Sequence, residues 1–302
     1  MTGRLPLRSG MRSNKRRVLF LDSAGGIPAE EITIAEALKS KGYATGCFGK
    51  WHLGHLPQYL PTSNGFDEYF GIPYSNDMDR VNDAPKGREP FWDPKIRYWN
   101  VPLIRGKKEL ERPAEQTTIT RRYTEEATRF IREHKEEPFF VYLPHSMPHV
   151  PLFRSPDFAG KSRRGLYGDV IEGIDWSVGQ VLDTLRDLKL DENTLVFFTS
   201  DNGPWLIFND HGGTAGLLRD GKGSTWEGGM REPTIAWGPG QIKPGSVSRD
   251  VASTMDIFAT LHAQAGIDLP NDHVLDSHGL TPILRGRGQA AANRYSIIAR
   301  TS

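Results

Sequence analysis

The chain has 302 residues, 37% of them hydrophobic and 25% charged, which is enough apolar material for a large core and excludes a wholly disordered chain. Its 38 lysines and arginines balance 37 aspartates and glutamates to a formal net charge of +1, so no global field favours nucleic acid or an anionic membrane, and anion recognition must be local. The single cysteine, Cys47, excludes an intrachain disulfide framework and cysteine-ligated zinc, and no apolar run has the length of a membrane-spanning helix.

In chain order, Lys15-Arg16-Arg17 runs into the apolar Val18-Leu19-Phe20-Leu21, read as a solvated strand or loop entry. A helix is predicted over 28–41: Pro28 suits an early helical position, Glu30 and Glu31 its N-terminal dipole, and Gly42 a C-terminal cap. Ile34, Ala35 and Leu38 form its apolar stripe. A strand over 43–48 then leads into Gly49-Lys50-Trp51-His52. Residues 56–116, rich in Pro, Asp, Asn, Trp and Tyr, are expected to make irregular excursions that shape a substrate entrance. Helical spacing returns over 122–137 and gives way to a buried strand over 138–143. That strand empties into Pro144-His145-Ser146-Met147-Pro148-His149.

An amphipathic helix is predicted over 167–190 and a strand over 194–199, ending at Ser200-Asp201-Asn202-Gly203. A glycine-rich segment, 211–229, precedes a strand over 233–237 and a helix over 255–265. Helices alternating with wholly apolar strands predict an α/β fold, a mostly parallel central sheet with helices on both faces. Ligands of such sheets bind beyond the carboxyl ends of the strands. Those ends deliver Lys50 and His52, then His145 and His149, then Asp201 and Asn202 to one side.

The chemistry of these residues converges on an anion. The glycines before and after Lys50 let backbone approach a ligand, Lys50 supplies a point charge, and His52 exchanges a proton near neutral pH. Asp201 and Asn202 offer hard oxygen ligands that suit calcium or magnesium better than zinc, although Asp-Asn-Gly is also simply a good turn. His145 and His149 frame a loop in which one ring can bond an anionic oxygen or protonate a departing alkoxide; Pro148 and Pro151 argue against a helical metal pair. Lys222, between Gly221 and Gly223, suits an oxyanion clamp without the spacing of a nucleotide-binding loop. Two lysines, two histidines and an acidic metal pair suit an ester whose transition state spreads negative charge over several oxygens, and sulfate and phosphate esters both qualify.

From Gly42-Tyr43 through Gly49-Lys50-Trp51-His52-Leu53-Gly54 the chain resembles a sulfatase signature. Gly71-Ile72-Pro73-Tyr74-Ser75-Asn76-Asp77, Ser200-Asp201-Asn202-Gly203-Pro204, and Leu217-Leu218-Arg219-Asp220-Gly221-Lys222-Gly223 with Trp226-Glu227-Gly228-Gly229 match the same family in order. The resemblance is to the arylsulfatase A type within the alkaline-phosphatase superfamily. It implies that Lys50 and Lys222 hold sulfate oxygens, His52 assists a nucleophile, and His149 binds sulfate or protonates the leaving oxygen. It further implies that Asp201 and Asn202 bind Ca2+, with Mg2+ as the alternative, that Ser75 lies at the substrate, and that the substrate is a small sulfate ester or a sulfated glycan. His145 has no counterpart in the resemblance and is expected behind the site.

Sulfatases carry a Cys- or Ser-x-Pro-x-Arg sequence whose first residue becomes formylglycine, and this chain contains none. Cys47 is followed by Phe-Gly-Lys-Trp and is expected to pack as a small apolar residue. In the family that motif leads into a Thr-Gly-Arg-Leu-Pro segment, which here is Thr2-Gly3-Arg4-Leu5-Pro6. The resemblance therefore implies a catalytic domain over 1–290 without its nucleophile segment, the start of a smaller C-terminal sheet over 291–302, and little or no turnover by these residues alone. Phosphate-ester hydrolysis, or binding of sulfated ligands without cleavage, are the competing readings.

Overall fold

Thr33 fixes where the first helix starts. Its hydroxyl accepts from the Glu36 amide at 3.1 Å while the Glu36 carboxylate accepts from the Thr33 amide at 2.8 Å, a capping box worth about 1 kcal/mol. Helix α1 is consequently Ile34–Lys39 and not the longer element expected from Pro28, which instead stands in a turn closed by the Glu31 amide. The chain is seen here in a computed structural model that describes residues 1–12 and 17–286. Lys15, Arg16 and the expected C-terminal sheet over 291–302 lie outside the described residues. Val18–Leu21 form no strand; Val18, Phe20 and Leu21 are exposed.

After α1 come β1 (Ala44–Phe48), β2 (Glu68–Gly71), α2 (Glu89–Trp92), β3 (Leu103–Arg105), β4 (Lys108–Glu111), α3 (Ile119–Glu133) and β5 (Phe139–Tyr142). The second part holds α4 (Gly165–Asp187), β6 (Val196–Thr199), α5 (Glu227–Met230), β7 (Thr234–Trp237), α6 (Asp256–Gln264) and α7 (Thr281–Leu284). Among the described residues the strands form a five-stranded sheet in the order β4-β3-β2-β1-β5 and a two-stranded sheet of β6 with β7. β1 lies parallel to β2 and to β5, β3 runs antiparallel to β2 and to β4, and β6 pairs antiparallel with β7. The fold is thus α/β with a mixed sheet.

Period-two alternation on β1 and β2 gives the large sheet two apolar faces. Phe48 and Phe70 point to a core shared with Tyr123, Ala127 and Phe130 of α3 and, beyond it, Val170 and Ile174 of α4. Cys47 and Tyr69 point the other way, into a cluster with Ala35 of α1, Trp51 and Phe66. Ile34 and Leu38 of α1 then meet Phe258 of α6. The sheet is therefore covered on both faces, and Cys47 is buried packing, as its sequence context implies.

Residues 56–116 are not excursions over the fold: β2, β3 and β4 belong to the sheet, and Phe66, Tyr69, Phe70, Ile72, Trp99, Val101 and Leu103 are core residues. These strands have three or four residues each and all carry charge, at Glu68, at Arg105, and at Lys108, Glu109 and Glu111, so none registers as an apolar run. Among the described residues no helix is long and apolar enough to cross a membrane.

Candidate active site

The loop after β1 is held by hydrogen bonds from consecutive amides. Gly49 donates to Phe70 O at 2.9 Å, Lys50 to Pro144 O at 2.7 Å, Trp51 to Ile72 O at 3.0 Å and His52 to Pro73 O at 3.1 Å. It is thereby tied to the loops that leave β2 and β5 on either side. Glycine is required where these strands meet: a Cβ on Gly49 would lie 2.1 Å from Pro144 O, and one on Gly71 only 1.7 Å from Gly49 O. Trp51 anchors the turn from below, its Nε1 donating to Tyr59 O at 2.7 Å. His52 adopts φ 58, a left-handed conformation that a non-glycine residue holds only when its surroundings impose it.

His52 and His149 are both neutral donors to backbone, through opposite nitrogens. His52 Nε2 lies 3.0 Å from Leu19 O and His149 Nδ1 lies 2.7 Å from Val150 O. A carbonyl can only accept, so His52 carries its proton on Nε2 and His149 on Nδ1. That leaves a lone pair on Nδ1 of His52 and on Nε2 of His149. Burial lowers the His52 pKa, and the Lys50 ammonium lowers it further. Burial likewise pushes His149 down to about 4, with Lys222 and Lys50 acting in the same direction and Asp77 opposing them.

Lys222 reaches the same place from the other side of the fold. Its amide donates to Pro204 O at 2.9 Å, which ties the 219–229 segment to the loop after β6. Its Nζ sits 4.7 Å from the Trp205 ring centroid, and that ring lies 5.6 Å from the imidazole of His149. Burial depresses the Lys222 pKa; Asp201 and Asp77 counteract this, while Lys50 adds to it. Lys50 and His52 from one turn, His149 from a second and Lys222 from a third therefore share one electrostatic neighbourhood with Asp77, and Asp201 joins it through Lys222.

The remaining expected residues divide. Ser75, two residues before Asp77, is buried, and its Oγ has no hydrogen-bond partner. His145 turns away: its Nε2 lies 3.1 Å from Ser177 Oγ on α4. Burial alone pushes its pKa to about 4. Asp201 is exposed and Asn202 half-buried at the end of β6. Both fit a hard dication by donor chemistry, and Glu232, whose Oε1 is buried without a partner and whose pKa is raised by burial and by Asp201, is a further carboxylate within the field of Asp201. Calcium takes about six to eight oxygens, more than this set supplies. Among the described residues no group of three or more His, Cys, Asp or Glu side chains is arranged to hold a metal.

Sequence reasoning missed Asp77. Its Oδ1 is buried without a hydrogen-bond partner and lies 3.9 Å from His149 Nδ1. The signal available was its place two residues after Ser75, in a string that otherwise looks like turn chemistry.

The family model described as Sulfatase matches residues 1–267. N-acetylgalactosamine-6-sulfatase of Canis lupus familiaris is 41% identical over 295 residues, covering 95% of this chain and 55% of that protein. Arylsulfatase A of Homo sapiens is 40% identical over 297 residues, covering 96% of this chain and 58% of that protein. The chain thus spans little more than half the length of these relatives. Among solved structures, Ps i-CgsB in complex with k-i-k-neocarrahexaose superposes with a TM-score of 0.81 at 29% identity, covering 96% of this chain and 64% of that one.

Proposed function

The chain belongs to the sulfatase family, and we propose that Lys50, His52, His149 and Lys222 form the anion-binding and proton-handling part of a sulfate-monoester hydrolase. The observation that carries this reading is the shared electrostatic neighbourhood of two lysines and two neutral histidines delivered by separate loops. In a site partly shut off from water, two fixed ammonium groups stabilise the charge that develops on sulfate oxygens as the ester bond breaks, at no cost of reorganisation. His149, with its Nδ1 proton committed to Val150, can take a second proton only on Nε2, and from there return it to the leaving oxygen. His52, with Nδ1 free, is placed to accept a proton from an attacking group.

Asp201 and Asn202 would hold Ca2+ or Mg2+, which when bound polarises a sulfate oxygen. Ser75 would contribute a hydroxyl to the substrate. The name of one relative, N-acetylgalactosamine-6-sulfatase, supports a sulfated sugar as the alcohol half. No Cys- or Ser-x-Pro-x-Arg sequence occurs in the 302 residues, so these residues are assigned binding and proton transfer and not attack on sulfur. The chain alone is expected to bind sulfate and release no nitrophenol from nitrophenyl sulfate.

Calorimetry with inorganic sulfate at neutral pH tests the reading. Sulfate should bind, and Lys50→Met or Lys222→Met should each weaken it about ten- to a hundredfold, the worth of one charged hydrogen bond. Absence of binding, or indifference to both substitutions, would overturn the assignment. Preference for phosphate over sulfate would move it to phosphate esters.

A further inference from the structure

The turn carrying His149 is clamped by the loop that follows β2. Asn76 is fully buried, and its Nδ2 donates to His149 O at 3.3 Å and to Pro151 O at 2.9 Å, gripping the main chain on both sides of Val150. The next residue, Asp77, thereby brings a carboxylate to His149, with Oδ1 3.9 Å from Nδ1. The Nδ1 proton is already given to Val150 O at 2.7 Å, so Asp77 acts on the ring through space and not by a hydrogen bond. Its Oδ1 is shut off from solvent with no partner of its own. A buried carboxylate oxygen without a donor costs free energy unless a positive charge compensates it.

We propose that Asp77 is the positioning residue that makes the imidazolium form of His149 accessible, so that an oxyanion entering between Lys50 and Lys222 brings a proton onto Nε2. The charged groups facing the ring are Lys50 from the β1 loop, Lys222 from the 219–229 segment and Asp77 from the β2 loop; Trp205 and the Val150 carbonyl complete its surroundings. Burial and the two ammonium groups hold the empty ring neutral, and Asp77 is the one of these charges that favours protonation. A bound oxyanion offsets the lysines, and the balance passes to Asp77. The proton comes from solvent, adds to the Nε2 lone pair, and is then available to a leaving oxygen. The inference rests on the anion-site reading of Lys50 and Lys222, but its central claim, that Asp77 raises the His149 midpoint, is also open to test without any anion.

The experiment is a proton NMR titration of the His149 ring in the 302-residue chain, alone and with saturating inorganic sulfate. It compares the unchanged chain with Asp77→Asn, which keeps the shape, and Asp77→Glu, which keeps the charge. Sulfate should raise the midpoint in the unchanged chain. Asp77→Asn should lower it by about one pH unit or more in both states, the effect of removing an opposite charge at this range. Asp77→Glu should restore most of it, which a purely structural role for the loop does not predict. Equal midpoints in the unchanged chain and Asp77→Asn would overturn the proposal. Should Asp77→Asn not fold, the Asp77→Glu variant decides alone: a midpoint about one pH unit or more below that of the unchanged chain would overturn the proposal, and one near it would support it. A midpoint that responds to Asp77 but not to sulfate would instead count against the anion site.

Discussion

Lys50 and Lys222 are asked to do the same thing, hold an ammonium beside an anion, and the chain supports them differently. Lys50 follows β1, whose Cys47 and Phe48 are fully buried, and its loop is bonded on both sides to neighbouring strand ends. Lys222 lies in a segment that leans on the β6–β7 pair, where Phe198 and Ile235 are exposed, as are Leu217 and Trp226 around it. Both regions contain apolar strands ending in glycine-rich loops. What separates them is burial, because local opening free energy follows the apolar surface covered and not the strand's composition. The β1 side should behave as a fixed platform and the β6–β7 side as the half that opens first.

The sharpest way to break this comparison is a matched pair of alanines. A Cβ on Gly71 would lie 1.7 Å from Gly49 O, within the five-stranded sheet, whereas one on Gly203 would lie 1.8 Å from Gly228 O, beside the two-stranded sheet whose Phe198 and Ile235 are exposed. Gly71→Ala is expected to cost at least about 3 kcal/mol and to abolish sulfate binding, and Gly203→Ala about 1 kcal/mol. Denaturant melts of the two variants check it. Equal losses would mean that the two halves are equally rigid.

How much of this was legible follows the same division. Lys50, His52, His149 and Lys222 stood out because glycines and prolines mark the ends of the strands that carry them, and backbone chemistry is visible in sequence. Asp77 did not, since a carboxylate in Ser75-Asn76-Asp77 is indistinguishable from a turn former until Asn76 is seen gripping His149 and Pro151. The strands β2 to β4 were hidden by the charged residues within them, Glu68, Arg105, Lys108, Glu109 and Glu111, whereas β5, β6 and β7, no longer, carry none. The α1 start was readable in principle from the Thr33 and Glu36 spacing, but Pro28 and the acidic pair after it drew the boundary outward. The separation of β6–β7 from the main sheet could not be read at all, because an apolar strand's composition does not reveal its partner.

An acid titration distinguishes the halves by a different measure. The ordinary histidine value of 6.5 falls to about 4 at His145, on the β5 side. Between these values the unfolded chain binds a proton that the folded chain refuses, so stability is lost as pH falls through this window. A difference of that size corresponds to up to about 3 kcal/mol by pH 4. Replacing His145 with Asn should flatten the dependence of melting temperature on pH between 6.5 and 4, leaving the parts due to His149, His52 and His262, which burial also holds below the ordinary value. An unchanged slope would mean that the β5 side admits water and protons more freely than its packing implies.

The smallest expected effect is the most discriminating about the weaker half. Ile235 stands opposite Phe198 in the β6–β7 register, and the two make a cross-strand apolar pair of a kind worth about 0.2–1 kcal/mol in a sheet. Ile235 is 61% exposed and Phe198 39% exposed, so little of their surface leaves water on folding. Ile235→Ser should therefore change stability by no more than about 0.5 kcal/mol, read from the urea midpoint at constant m-value. A loss of several kcal/mol would show that this face is covered in solution. A dependence of that loss on protein concentration would identify the covering as self-association, and the β6–β7 half would then owe its rigidity to an interface and not to its own core.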